Sequence, residues 1–381
     1  MPSMITNYKC PACTGPLHFV GSSGMLECEY CGSKFDVAQI EAQQAKDEAK
    51  AEQAFQQQEA KAEQAAAQAQ QQAGDGWDFS DLGGQWGADA AGMRVYNCPS
   101  CGAELICDQT TAATSCPYCG NPTIVPGQFG GTMKSDYILP FRLDKNAAVA
   151  ALNNHYKGKR FLPKAFANAN HIQQIQGVYV PFWMFDATAD VHAQFAATRS
   201  RSRREGSYEV TTTEHFDIYR SGSLTFEKVP VDASTKMPDD HMDSIEPYDY
   251  SDLKPFSTAY LPGFLADKYD VSAAESARRA DERCERSAVS ALAGTVMGYE
   301  SCTPVGHEVR LNRGKVHYAL LPVWLLNTKW NGKDFLFAMN GQTGKLVGDL
   351  PVDKGRFWAH FAAIAAGISV VVTILAYLFE L

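Results

Sequence analysis

A four-cysteine unit occurs twice in this chain with the same spacing, and it restricts what either stretch can fold into. Cys10-Pro11-Ala12-Cys13 is followed after fourteen residues by Cys28-Glu29-Tyr30-Cys31, and Cys98-Pro99-Ser100-Cys101 after fourteen residues by Cys116-Pro117-Tyr118-Cys119. Each C-x-x-C turn aims two thiolates at one point, and a hairpin between the turns brings the second pair opposite the first. Four sulfurs close a tetrahedral site with no position left for water or substrate. Such a metal folds a stretch of about thirty residues that is too small to build its own core. The spacing therefore predicts two structural metal ions per chain. Their ligands are Cys10, Cys13, Cys28 and Cys31, and Cys98, Cys101, Cys116 and Cys119. Zn2+ is the usual metal of such ribbons, iron in a rubredoxin-like site suits the same thiolates, and disulfide pairing is the metal-free alternative. Cys107, Cys284 and Cys302 lie outside both units and read as small buried hydrophobes.

The chain has 381 residues, 45% hydrophobic and 20% charged, enough for more than one domain and a real core. A formal net charge of -9 makes nucleic acid an unlikely general partner, because that mode needs clustered Lys and Arg. The ribbons are not basic either: Lys9 and Lys34 face Glu27, Glu29 and Asp36, and Arg94 faces Glu104 and Asp108.

Residues 1–25 hold Lys9, Pro11 and the first cysteine pair where a cleavable signal would need an apolar run, so no signal is expected. The apolar run is at the other end. From Phe357 to Phe379 only His360 can carry charge. A helix of that length measures about 34 Å, enough to span a bilayer, with a buried core helix as the alternative. Lys354 and Arg356 precede it and only Glu380 and Leu381 follow, so the positive-inside tendency places the bulk of the chain in the cytoplasm as a single-pass, tail-anchored cell-membrane protein. Trp358 and Tyr377 stand where interfacial aromatics are expected, and a reducing cytosol suits metal-holding thiolates.

The expected organisation is a zinc ribbon over 1–37, an Ala/Gln-rich helical spacer over 38–73, a flexible linker over 74–93, a second ribbon over 94–126, a duplicated α+β domain over 127–353 and a transmembrane anchor over 354–381. The spacer composition favours helix, with a weak coiled coil as its sharper reading. The linker holds Trp77-Asp78-Phe79-Ser80-Asp81-Leu82, an acidic-aromatic stretch that could dock in a partner's groove. In the α+β domain, Leu139-Pro140-Phe141 precedes a helix from Asp144 to Tyr156 and a strand beginning at Tyr179. Later, Leu261-Pro262-Gly263-Phe264 precedes a helix from Ser272 to Ala293 and strands that turn at Asn331-Gly332 and Asn340-Gly341. Two helix-then-antiparallel-sheet units are the expected fold.

Gly341-Gln342-Thr343-Gly344-Lys345 resembles the end of a phosphate loop, but Met339 and Leu346 stand where that loop needs Gly and Ser or Thr, so it reads as a hairpin turn. Asp239, Asp240, His241 and Asp243 form a polar loop that either holds a cation or is simply solvated. Arg199, Arg201 and Arg203 alternate with serine, and with Arg204 they form the strongest basic cluster. Anionic headgroups, nucleic acid or plain solvent could each face it.

The ribbon pairs together with Tyr179-Val180-Pro181-Phe182-Trp183, Val229-Pro230-Val231-Asp232-Ala233-Ser234, Ile245-Glu246-Pro247-Tyr248-Asp249-Tyr250, Tyr260-Leu261-Pro262-Gly263-Phe264 and Asn340-Gly341-Gln342-Thr343-Gly344 resemble bacterial TFIIB-type zinc-ribbon membrane proteins. Such proteins are sometimes labelled primosomal-helicase-like, although the helicase's nucleotide-binding motifs do not occur in this chain. The resemblance implies a cytoplasmic-membrane adaptor similar to anchors that work beside phage-shock-type and flotillin-like proteins in envelope stress, with the eight ribbon cysteines as ligands and no catalytic residues.

The resulting expectation is a non-enzymatic adaptor with no small-molecule substrate, recruiting cytosolic proteins through exposed ribbon aromatics such as Tyr30, Phe35 and Tyr118. The alternatives are a membrane-tethered nucleic-acid binder and an enzyme housed in the α+β domain.

Overall fold

The computed structural model of the chain describes residues 10–12, 17–20, 25–28, 30–40, 42, 76–109, 111, 115–121, 125–127, 133–163, 166, 172, 174–330 and 332–379. Most of the expected spacer falls outside these residues.

The first ribbon forms a sheet of its own. Strands β1 (Leu17–Val20), β2 (Met25–Cys28) and β3 (Lys34–Phe35) pair antiparallel in that order. Leu17, Leu26, Ile40, Cys10 and Cys28 make a small core that is closed over by Tyr30, Phe35 and Val37.

The rest of the described chain is mixed α+β, and its strands join one eleven-stranded sheet. In chain order they are β4 (Met93–Asn97), β5 (Glu104–Asp108), β6 (Val125–Gly127), β7 (Tyr137–Ile138), β8 (Gln176–Glu205), β9 (Tyr208–Asp232), β10 (Lys254–Pro255), β11 (Leu265–Asp267), β12 (Ser301–Trp330), β13 (Lys333–Asn340) and β14 (Leu346–Gly348). Helix α1 (Lys145–Tyr156) follows β7, α2 (Asp239–Ser244) follows β9, α3 (Ala273–Gly294) follows β11, and α4 (Lys354–Phe379) follows β14. The spatial order is β10-β7-β12-β8-β11-β5-β4-β6, with β9 added on β8, β13 on β12 and β14 on β13.

Helix starts follow their caps. Asp144 accepts from the Ala147 amide at 2.8 Å, and Ser272 with Glu275 forms a reciprocal capping box at the head of α3. Both helices lie within one residue of the ranges their sequences predict.

Strand length is where the structure departs most from expectation. β8 and β12 have 30 residues each and β9 has 25. At about 3.3 Å per residue the longest approach roughly 100 Å, far beyond ordinary strands. Along β8, Ala187, Ala189, Val191, Ala193, Phe195 and Ala197 are buried while Asp190 and His192 between them are exposed. Small side chains on the buried face let α3 settle on it through Ala288 and Leu292. Register shifts opposite Asp186 interrupt the ladders of β8 with both β9 and β12. Gly314 belongs there because a Cβ would sit 2.5 Å from the Asp186 carbonyl oxygen.

A strand, a helix and a long hairpin recur in order, β7-α1-β8-β9 and β11-α3-β12-β13. β7 lies parallel to β12, and β11 lies parallel to β8. The short sequence motifs that suggest a repeat do not hold matching places, since Leu139-Pro140 follows its strand whereas Leu261-Pro262 precedes its own.

Two expected boundaries change. β5 pairs with β11 through Ala266↔Ile106 and Asp267↔Leu105, so the second ribbon and the domain after residue 127 share one continuous sheet. The expected linker is a strap. Trp77 is buried against Phe185 with ring centroids 4.8 Å apart, Asp78 exchanges backbone hydrogen bonds with Gly314 and Val316, and Gly84 pairs with Lys134. Its aromatics dock on the chain's own domain because the rings are too apolar to leave in water.

Candidate metal centres

Three of the four C-x-x-C turns have both cysteines among the described residues, and they are closed alike. The amide of the glycine after each turn donates to the carbonyl of the turn's first cysteine: Gly32 to Cys28 at 2.9 Å, Gly102 to Cys98 at 2.9 Å and Gly120 to Cys116 at 3.0 Å. Each of these glycines has φ near +70°, at 70°, 72° and 69°, a conformation that a Cβ penalises. The first cysteine's own amide is tied back to Ser33, Ala103 or Asn121. Both thiols of a turn then point to one side.

In the second ribbon the Sγ atoms of Cys98, Cys101, Cys116 and Cys119 all lie within 4.8 Å of one another, with Cys98–Cys119 at 3.5 Å and Cys101–Cys116 at 3.6 Å. Tetrahedral thiolates at about 2.3 Å from a zinc would sit roughly 3.8 Å apart, so the four sulfurs fit such an ion with little movement. Hydrogen bonds from neighbouring thiols, Cys101 first, hold Cys119 far below the usual thiol range, while Cys116 is pushed far above it. Cys98 is lowered as well and Cys101 is raised, and a bound cation would favour the thiolate form of all four. In the first ribbon Cys10, Cys28 and Cys31 come together, with Cys10 and Cys31 sulfurs 3.4 Å apart. Cys13 lies outside the described residues. Both cysteine clusters can hold a metal ion.

Tyr118, expected at an exposed tip, is buried at 4% exposure. Its hydroxyl donates to Asp267 at 2.8 Å, its carbonyl accepts from Asn327 Nδ2, and Ser115 beside it accepts from Gln176 at 2.9 Å. Asp267 also accepts from Ser234 at 2.9 Å, and burial pushes its carboxyl up to about 7 against the opposing pull of Lys236. The second turn of this ribbon therefore faces the domain core. Tyr30 and Phe35 are half-buried against the first ribbon's own core.

The other candidates resolve into structure. Asp239 and Asp243 sit on α2 and pair with Arg279 of α3 at 2.8 Å and 2.7 Å, and Arg283 bridges Asp243 at 2.7 Å to Glu246 at 2.5 Å. These arginines already pair with Asp239 and Asp243, while Asp240 is exposed. Asp232, buried below them, is pushed up to about 8 by burial. Arg199 lies over the edge-to-face pair of Phe216 and Tyr299, at 5.5 Å and 5.1 Å from the ring centroids, and bonds the Gly298 carbonyl. Arg203 pairs with Glu205, while Arg201 and Arg204 stand exposed near the tip of the β8–β9 hairpin. Cys107 and Cys284 are buried, and Cys302 is half-buried.

Sequence reasoning missed what Asn340 and Gln342 do. Asn340 is fully buried and its amide donates to the carbonyls of Ile245 and Pro247, while its oxygen accepts from the Gln342 and Thr343 amides. Gln342 exchanges two hydrogen bonds with Asp249. The Asn-Gly-Gln-Thr-Gly turn latches the Ile245–Tyr250 segment onto the sheet. A buried amide beside a tight turn is the signal that could have revealed it.

Over 321 residues the chain is 33% identical to an uncharacterized protein of Bacillus subtilis (strain 168), YdjG, covering 71% of this chain and 94% of that protein. The chain belongs to the YdjG family. No family model matches it, and no solved structure matches it. The name YdjG states no activity.

Proposed function

We propose that this protein is a non-enzymatic, tail-anchored membrane adaptor of zinc-ribbon type, with its bulk in the cytoplasm. Each ribbon holds one structural Zn2+, and the first ribbon recruits cytosolic proteins, phage-shock-type or flotillin-like partners of an envelope-stress system among them. The observation that carries this reading is α4. It has 26 residues, Lys354–Leu375 of it is long and apolar enough to cross a membrane, and none of that span is buried against the protein. Trp358, Ile364, Val370 and Val372, which stand on different sides of the helix, are all more than half exposed, so apolar surface faces outward around it. Lipid is the solvent that suits it. The two strand-helix-hairpin units read as copies of one another, supported by the recurring order β7-α1-β8-β9 and β11-α3-β12-β13 and by each short strand lying parallel to the other unit's long strand.

The nucleic-acid reading is weaker. It would rest on Arg201 and Arg204, and two exposed cations are few beside the six to ten phosphate contacts of a strongly salt-dependent binder.

The test compares three forms in bacterial membranes: the full chain, a form lacking residues 1–40, and a form lacking residues 355–381. The full chain should be membrane-bound with two metals and should co-purify with a phage-shock-type or flotillin-like protein. Loss of 1–40 should leave it membrane-bound with one metal and without the partner. Loss of 355–381 should release a folded protein with both metals. Equal partner recovery with and without 1–40 would remove the first ribbon as the recruiting surface, and salt-sensitive retention of DNA or RNA would favour the alternative.

A further inference from the structure

Beside the first turn of α4 lies a cleft of about 380 Å³, formed where the turn after α1 meets the segment that leads out of β14. Its floor is apolar, with Phe161, Leu162 and Leu350, and its rim carries Lys159 and Arg160, both exposed. The cleft is fastened to the helix. The Asp353 amide donates to the Phe161 carbonyl at 2.7 Å, and the Phe161 ring packs edge-on against Phe357 at 5.6 Å and His360 at 5.4 Å. Phe357 is only three residues into α4, about 4.5 Å along its axis, so the cleft sits at the level where the apolar span begins.

Charge is concentrated here in an otherwise acidic chain. Residues 157–160 and 349–356 carry Lys157, Lys159, Arg160, Lys354 and Arg356 against Asp349 and Asp353. Asp353 is engaged by Arg356 at 3.4 Å, and among the described residues no ion pair engages Lys157, Lys159 or Arg160. A cationic rim over an apolar floor, held at the depth of the headgroups, matches a molecule with a phosphate at one end and a hydrocarbon chain at the other.

We propose that this cleft binds one anionic phospholipid of the cytoplasmic leaflet, its phosphate held by Lys159 and Arg160 and its glycerol and upper acyl region lying on Phe161 and Leu350. The proposal rests on the anchor reading of α4. It gives the anchor a lipid preference that an apolar helix alone lacks.

The full chain is purified in a neutral detergent, offered equal amounts of phosphatidylglycerol and phosphatidylcholine, and its lipid-bound forms are counted by native mass spectrometry. Phosphatidylglycerol should be retained about tenfold over phosphatidylcholine, and the Lys159→Gln/Arg160→Gln variant should bring the ratio to about one. Arg201→Gln/Arg204→Gln, at the far hairpin tip, should leave the ratio as it was. An equal ratio in the unmodified chain, or a preference untouched by the cleft variant, overturns the proposal. Loss of preference in the tip variant alone would move the lipid site to the arginines. Flotation with pure phosphatidylcholine vesicles separates the two failures. A chain that floats without lipid preference is anchored and lacks the site, whereas one that does not float removes the anchor and this proposal with it.

Discussion

Among the described residues, β2 of the first ribbon pairs only with β1 and β3, whereas in the second ribbon β5 pairs with β4 on one side and with β11 of the main domain on the other. The cysteine spacing is identical and the glycine knuckles are superimposable in their hydrogen bonds, yet the strands between the knuckles differ. Met25–Cys28 alternates half-buried and buried residues, as an exposed ribbon strand does. Glu104–Asp108 has Leu105, Ile106 and Cys107 buried in succession, the run of a strand covered on both faces. A shared metal motif thus sets the local turn and leaves the strand composition to decide whether the ribbon stands by itself or becomes part of a larger sheet.

The sharpest way to break this comparison is to remove one ligand from each ribbon. Cys98→Ser should cost its ribbon the metal and most of the order in the main sheet. Structural zinc is worth on the order of 10 kcal/mol to the segment it folds. That is comparable to the whole margin of a domain, about 5–15 kcal/mol. Cys28→Ser should lower the metal content from two to one while leaving the main thermal transition where it was. Metal analysis and calorimetry on the same samples read both quantities. If the two variants shift the main transition equally, the ribbons are not different in the way their sheets suggest.

A smaller effect is expected from the strap that precedes the second ribbon. Trp77→Ala removes a buried ring that packs on Phe185 and should destabilise the domain by about 3–5 kcal/mol in denaturant titrations. Both metals should stay, since no ligand moves. Release of a metal by this change would mean that the strap supports a ribbon directly.

Much of this architecture was legible in sequence, and what was not has a common cause. The knuckles, α1, α3 and α4 were readable because caps, glycines and an apolar run are local signals. The tip of the β8–β9 hairpin was not, because residues 198–205 and 209–214 are almost entirely polar on both faces. Ser200 bonds Thr213 at 3.1 Å and Ser202 bonds Thr211 at 2.7 Å, pairings that leave no hydrophobic period to detect. The burial of Tyr118 was hidden for a different reason. A C-x-x-C turn looks the same from sequence whether it faces water or a core 149 residues further along the chain. The Asp239–Asp243 group read as an open acidic loop because its arginine partners lie 36 to 40 residues further along the chain, on α3.

Tyr30 and Tyr118 occupy the same place in their cysteine turns, and the last prediction uses that match. Tyr118→Phe deletes a hydroxyl that donates to buried Asp267, leaving that carboxylate with Ser234 as its remaining hydrogen-bond donor. A loss of about 1–3 kcal/mol is expected. Its pH dependence has a definite sign. Burial raises the Asp267 carboxyl from 3.8 to about 7, so the folded state keeps the proton longer than the unfolded chain does. The stability linked to that proton is fully present below about 3.8 and is lost as pH rises toward 7. The Tyr118 hydroxyl favours the charged carboxylate, and its removal should push the carboxyl higher still. The gap between Tyr118→Phe and the unmodified protein should therefore be wider at pH 8, where Asp267 must ionise, than at pH 5.5, where it is protonated. Tyr30→Phe, in a ribbon whose sheet is its own, should leave the main transition unmoved at both pH values. A gap that is the same at both pH values would mean that the hydroxyl acts by packing alone and that Asp267 is not its partner in the charged state.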